Sequence, residues 1–210
     1  MTETEAEVWL RRAVRLVALT MAYNAVETGV ALWAGARAGS VALVGFGLDS
    51  LIELTAAGAV LARVRSEAAG AGRGGLFSAE GRVRRFVGVT FFALALYVVG
   101  YALWSFLARV PPSESPLGLA LAVASLVLMP LLAAGKLRAA GAIGSRALAA
   151  EAKETLACSY LSFCLLLGLG LNAWLGWWWA DPAAALLMVP WLVREGLEGF
   201  EEEGAHESGP

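Results

Sequence analysis

Phe86–Ala108 contains no charged residue, and neither does Ser115–Gly135 or Thr155–Ala180. A helix of about 20 apolar residues crosses a hydrocarbon layer about 30 Å thick. A helix facing water needs a polar stripe, and these three have none. Leu16–Ala36 is a fourth such run, broken only by Asn24 and Glu27, and Ala38–Ala62 a fifth, broken by Asp49 and Glu53. Pro182–Val193 is shorter, but Gly176–Ala180 and the amphipathic Arg194–Phe200 extend it. The expectation is an all-α, polytopic membrane protein with six transmembrane helices. Pro130 falls inside the fourth of them, as a kink that a bundle can absorb.

Composition agrees. The chain is 59% apolar and 16% charged, with a mean hydropathy of +0.66. Soluble domains run at about 45–50% and about 25%. Disorder, collagen and disulfide-scaffold classes are excluded by the same figures. A net charge of −2 gives no basic field for nucleic acid. The glycines lie in no phosphate-binding context, so no nucleotide is expected. Cys158 and Cys164 are six apart. On a helix that is about 9 Å, too far for a disulfide.

Basic residues set the orientation. With the N-terminus inside, only Arg37 and Arg109 of the 16 Lys and Arg residues fall outside. That asymmetry predicts an N-in, C-in topology. Trp33, Trp104, Trp174, Trp177, Trp178 and Trp179 then gather at the outer interface, where aromatic belts form. No cleaved signal peptide is expected, because the first apolar segment is too long and carries Glu27. The expected organisation is a cytoplasmic segment 1–15, a six-helix domain 16–200 and a disordered cytoplasmic tail 201–210. A glycine-rich cytoplasmic loop spans about 65–85. No soluble C-terminal domain is expected after helix six. The membrane expected is the plasma (inner) membrane.

Acids inside the spans are the chemically informative feature. A charge at mid-bilayer costs about 2.5–3.5 kcal/mol on insertion scales. Glu27, Asp49 and Glu53 lie well inside spans, with Glu151 and Glu154 at the inner end of helix five. On this reading no deep Lys or Arg is available to them, since Lys136 belongs to a loop and Lys153 points away from Glu154 by about 100°. Protons or a bound cation must then supply the positive charge. Asp49 and Glu53 are four apart and share a helix face, and so do Glu151, Glu154 and Cys158. Counting about 1.5 Å per residue from each inner end puts Glu53 roughly 16 Å deep, Asp49 and Glu27 roughly 22 Å, Cys158 roughly 18 Å and Glu154 roughly 12 Å. Helices two and five are antiparallel, so Asp49 and Glu53 can face Glu154 and Cys158. Three carboxylates and a thiolate suit a tetrahedral divalent cation. Asn24, Glu27 and Glu151 are additional candidates for metal binding or proton coupling.

These segments resemble the transmembrane part of the cation diffusion facilitators, a family of proton-coupled divalent-metal exporters. The resemblance is carried by AGSVALVGFGLDSLIE (38–53), ALAAEAKETLAC (147–158) and GWWWADP (176–182), and it covers the chain from about Tyr23 to Phe200. It implies six helices, N-in and C-in, a homodimer, and a metal site with Asp49 and Glu53 from helix two and Glu154 and Cys158 from helix five. The family commonly carries His or Asp followed by Asp at these pairs. Here the pairs are Asp–Glu and Glu–Cys, and the only histidine, His206, is in the tail.

The function expected is export of a divalent metal from the cytoplasm by proton antiport. Zinc comes first because a thiolate with carboxylates suits it, and cadmium would follow the same sulfur. Manganese or iron(II) would suit an all-oxygen set that includes Glu27. No prosthetic group is expected. The partners are the lipid bilayer, the metal ion and protons, with no nucleic acid. Two other classes compete: a non-transporting membrane scaffold, and an intramembrane enzyme built on Cys158. The scaffold would leave facing acids without a purpose. The enzyme would need a base beside the thiol, and the spans contain no histidine.

Overall fold

The computed structural model describes residues 3–68 and 76–204. Of the glycine-rich loop expected at about 65–85, residues 65–68 and 76–85 belong to helices and 69–75 lie outside the described residues, as does the end of the expected tail, 205–210. The described residues form six helices: α1 (Glu3–Ala38), α2 (Val41–Ala68), α3 (Leu76–Ala108), α4 (Pro116–Ile143), α5 (Arg146–Leu175) and α6 (Ala180–Gly204). Five of them, α1 to α5, contain stretches long and apolar enough to cross a membrane. The charges Asp181, Arg194, Glu195 and Glu198 leave α6 short of that criterion. It is nonetheless part of the bundle, with Ala184, Ala185, Met188 and Leu192 in the main core.

The helices outrun their apolar stretches. A helix can continue into the interface or beyond because its backbone bonds are internal, so its ends are set by caps rather than by the hydrocarbon edge. The Ser115 side chain accepts from Gly118 N, with Pro116 in the first turn, and starts α4. Ser145 accepts from Leu148 N and starts α5 well before Thr155. Glycines in the left-handed conformation close α4 at Gly144 (φ 67°) and α5 at Gly176 (φ 64°). Lys136 and Glu151 therefore both lie within helices, where the sequence reading had put Lys136 in a loop.

α2 sits at the centre, packed against α1, α3, α5 and α6, while α4 pairs with α1 and α5, and α3 with α6. Apolar burial drives little association between helices in lipid, so close approach matters more. At Gly168 on α5 an added Cβ would lie 2.7 Å from the Cβ of Ala184 on α6. At Gly88 on α3 it would lie 2.9 Å from the Gly196 carbonyl oxygen of α6. Both contacts need a residue without a side chain.

One end of the bundle is stitched together by polar contacts. Asp181 at the start of α6 accepts from Ser40 Oγ (2.5 Å) and from Val41 N (2.8 Å), so it caps α2 from another helix. Ser113 N donates to Ala38 O at 2.8 Å, and Asn172 Nδ2 to Pro112 O at 3.1 Å. The α1–α2, α3–α4 and α5–α6 connections therefore share this end. The Trp177–Trp179 stack and the Arg37–Trp33 pair lie beside these connections.

Candidate metal centre

The inner face of α2 presents Asp49 and Glu53, one turn apart, toward α5. Facing them is Cys158, fully buried. One ligand atom from each of the three lies within 4.8 Å of the others. The Cys158 thiol donates to Glu53 Oε1 at 2.8 Å and lies 3.9 Å from Asp49 Oδ2. Ligands about 2.0–2.3 Å from a tetrahedral ion lie roughly 3.3–3.7 Å from one another. The two sulfur–oxygen distances bracket that range. Asp49 is 2% exposed, and two carboxyls and a thiol this close and this buried need protons or a cation.

Glu154, the fourth expected ligand, is outside this triad. It lines the adjoining cavity with Asp49, Glu53, Phe91, Trp191 and Glu195. Glu154 makes no hydrogen bond or ion pair among the described residues. It lies one helical turn from Cys158 along α5.

Asn24 joins the site from α1. Its Nδ2 donates to Glu53 Oε2 at 3.0 Å, while its buried Oδ1 has no hydrogen-bond partner. Glu27, also on α1, is fully buried but sits in a cradle of hydroxyls. Ser50 Oγ donates to its Oε2 at 2.8 Å, and Ser125 Oγ of α4 donates to its Oε1. Tyr23 OH lies 2.6 Å from Ser125 Oγ.

Glu151 requires a correction. The expectation that no deep cation could reach the acids fails here, because Lys136 is fully buried and its Nζ lies 2.6 Å from Glu151 Oε1. The same Nζ donates to Thr155 Oγ1 at 2.9 Å. A carboxylate already paired with an ammonium is a poor cation ligand, so Glu151 is placed with Lys136 rather than with the triad. The physical reason is the length of α4 and α5, which lays Lys136 against α5 instead of in a cytoplasmic turn. Cys164 packs in the apolar core, as its spacing implies.

Sequence reasoning missed Lys136, the three hydroxyls around Glu27, and Glu195 in the cavity. A Ser directly after Asp49 was the visible signal for the first hydroxyl. Nothing local in the sequence pairs Ser125 or Lys136 with residues of another helix.

The family model of the cation efflux transmembrane domain matches residues 17–203. No curated protein matches the chain.

Proposed function

This chain belongs to the cation efflux family, whose members transport divalent metal cations, and we propose that it exports zinc from the cytoplasm in exchange for protons. The family is one of transporters rather than enzymes, and the chain is a multi-pass membrane protein. The proposed ligands are Asp49, Glu53 and Cys158, with Glu154 as the fourth. One observation carries the reading: two antiparallel helices bring two carboxyls and a thiol within 4.8 Å in a buried position. Zinc is favoured because it accepts thiolate and carboxylate together in a tetrahedral set.

Proton exchange follows from the ligands. Cation binding needs the ionised forms, so protons leave as metal arrives. Release on the far side lets protons return from there, and rocking of helices around the buried site gives alternating access. The N-in, C-in arrangement, the plasma (inner) membrane and the homodimer belong to the same reading. The orientation is supported by the bias of basic residues and the tryptophans at one end. Manganese or iron(II) is the alternative cargo, favoured if Cys158 keeps its proton and goes on donating to Glu53 as it does here.

Proteoliposomes test the proposal. An imposed pH gradient should drive zinc transport against its own gradient, and collapsing the pH gradient should stop it. Asp49→Asn should abolish transport while the protein stays monodisperse. Transport indifferent to pH would mark a passive facilitator.

A further inference from the structure

Glu27 is bonded differently from the other buried acids among the described residues. Glu151 is held by a lysine, and Asp181 by a backbone N–H and a serine. Around Glu27 the partners are hydroxyls, which can donate or accept. Ser50 Oγ lies within hydrogen-bond reach of both Glu27 Oε2 (2.8 Å) and the Phe46 carbonyl (3.1 Å). With Glu27 ionised, Ser50 donates to the carboxylate. With Glu27 protonated, the acid donates to Ser50 Oγ, and Ser50 turns its own hydrogen to Phe46 O. Ser125 donates to the other carboxyl oxygen in both cases. Tyr23, 2.6 Å away, can donate to Ser125. Both charge states are thus fully hydrogen-bonded with no helix displaced. A buried acid that served only packing would need partners for one state.

The cradle also links the metal site to three helices. Ser50 follows Asp49 on α2, Ser125 belongs to α4, and Glu27 is one turn along α1 from Asn24, which bonds Glu53. Glu27 makes no hydrogen bond with Asp49, Glu53 or Cys158 among the described residues. The ionisable groups around it among the described residues are Tyr23 on its own helix, Asp49 and Glu53 on α2, and Cys158 on α5. α4 has none between Pro116 and Gly135. Every neighbour is acidic or neutral, so a divalent charge arriving among them changes what Glu27 experiences.

Resting on the reading of Asp49, Glu53 and Cys158 as the cargo site, we propose that Glu27 is a separate proton-carrying site. It loses its proton when the cation binds and takes one back when the cation leaves. For release the acid's hydrogen moves to the oxygen facing Ser125, and both hydroxyls turn from their resting direction. The O–H bond of the acid breaks as Ser125 accepts its hydrogen, Ser125 passes its own to Tyr23, and the partly exposed Tyr23 passes one to water. Each hydroxyl passes on one hydrogen as it accepts another, so neither is left charged. The coupling is reciprocal: a cation favours the ionised carboxyl, and the ionised carboxyl favours the cation.

Zinc titration of the full chain in detergent across a pH series tests this, with protons released per zinc counted in buffers of different ionisation enthalpy. Glu27→Gln should still bind zinc but release about one proton fewer per ion, with a correspondingly shallower dependence of affinity on pH. An unchanged proton count overturns the proposal. So does a loss of binding as complete as that of Asp49→Asn, which would make Glu27 a ligand. Should Glu27→Gln not fold, Tyr23→Phe and Ser125→Ala keep the carboxyl and remove hydroxyls from the chain. They should move the pH midpoint of zinc transport by about half a unit or more, and an unmoved midpoint overturns the idea. The two readings fail separately: undiminished zinc binding by Asp49→Asn removes the cargo site itself. An unchanged proton count in Glu27→Gln, beside a dead Asp49→Asn, removes only the proton site.

Discussion

Cys158 is the only soft donor in the buried triad, and its contribution is separable from that of the carboxylates. Thiolate selects zinc and cadmium over manganese, whereas oxygen ligands discriminate far less. Cys158→Ser should therefore weaken zinc and cadmium binding at least about tenfold more than manganese binding, measured by titration of each metal. A uniform small loss would make Cys158 a packing residue. Lys136 and Glu151 form the opposite kind of group, a paired charge whose value lies in completeness. Lys136→Met alone leaves Glu151 buried and uncompensated, and should cost about 3–5 kcal/mol in thermal unfolding. Lys136→Met combined with Glu151→Leu should recover most of that loss. Asp49, Glu53 and Cys158 were legible in the sequence because four-residue spacing and depth can be counted along a helix. Lys136 was not, because its partner is fixed by how far two helices run past the apolar stretch. The serines around Glu27 were invisible for a similar reason, since tertiary packing alone brings a hydroxyl from α4 to an acid on α1.

At the level of elements, the apolar runs located all six helices but not their ends. Ser145 shows why: its side chain caps α5 ten residues before the uncharged stretch begins at Thr155, and the intervening ALAAEAKE is rich in good helix formers. The weak sixth run is held in the bundle where its small residues meet α5 and its Asp181 caps α2. Gly168 is the point of closest approach to test. Gly168→Ala puts a methyl 2.7 Å from the Ala184 Cβ and 3.3 Å from the Ala180 carbonyl oxygen, so α5 and α6 must move apart. The expected cost is about 1–3 kcal/mol, seen as a lowered Tm in detergent. An unchanged Tm would show that this contact is slack.

For the whole molecule, the question is which end faces out. The α1–α2, α3–α4 and α5–α6 connections share one end through Asp181, Ser113 and Asn172. Single cysteines introduced at Ser113 and Gly176, in a background lacking Cys158 and Cys164, should react with an impermeant reagent applied from outside intact cells. Cysteines at Gly144 and Gly204 should react only after lysis. The reverse pattern would invert the membrane orientation and the direction of transport.

The proposed divalent-cation site is built by α2 and α5 from Asp49, Glu53 and Cys158. Calorimetric titration of zinc into the purified protein, wild type against Asp49→Asn and Glu53→Gln, tests for it. The wild type should bind with an affinity that weakens as pH falls, because protons compete for the same oxygens. Each variant should bind at least about a hundredfold more weakly while remaining folded and monodisperse, in line with the loss of a metal ligand. Zinc binding by both variants at wild-type affinity would put the cation somewhere other than between α2 and α5.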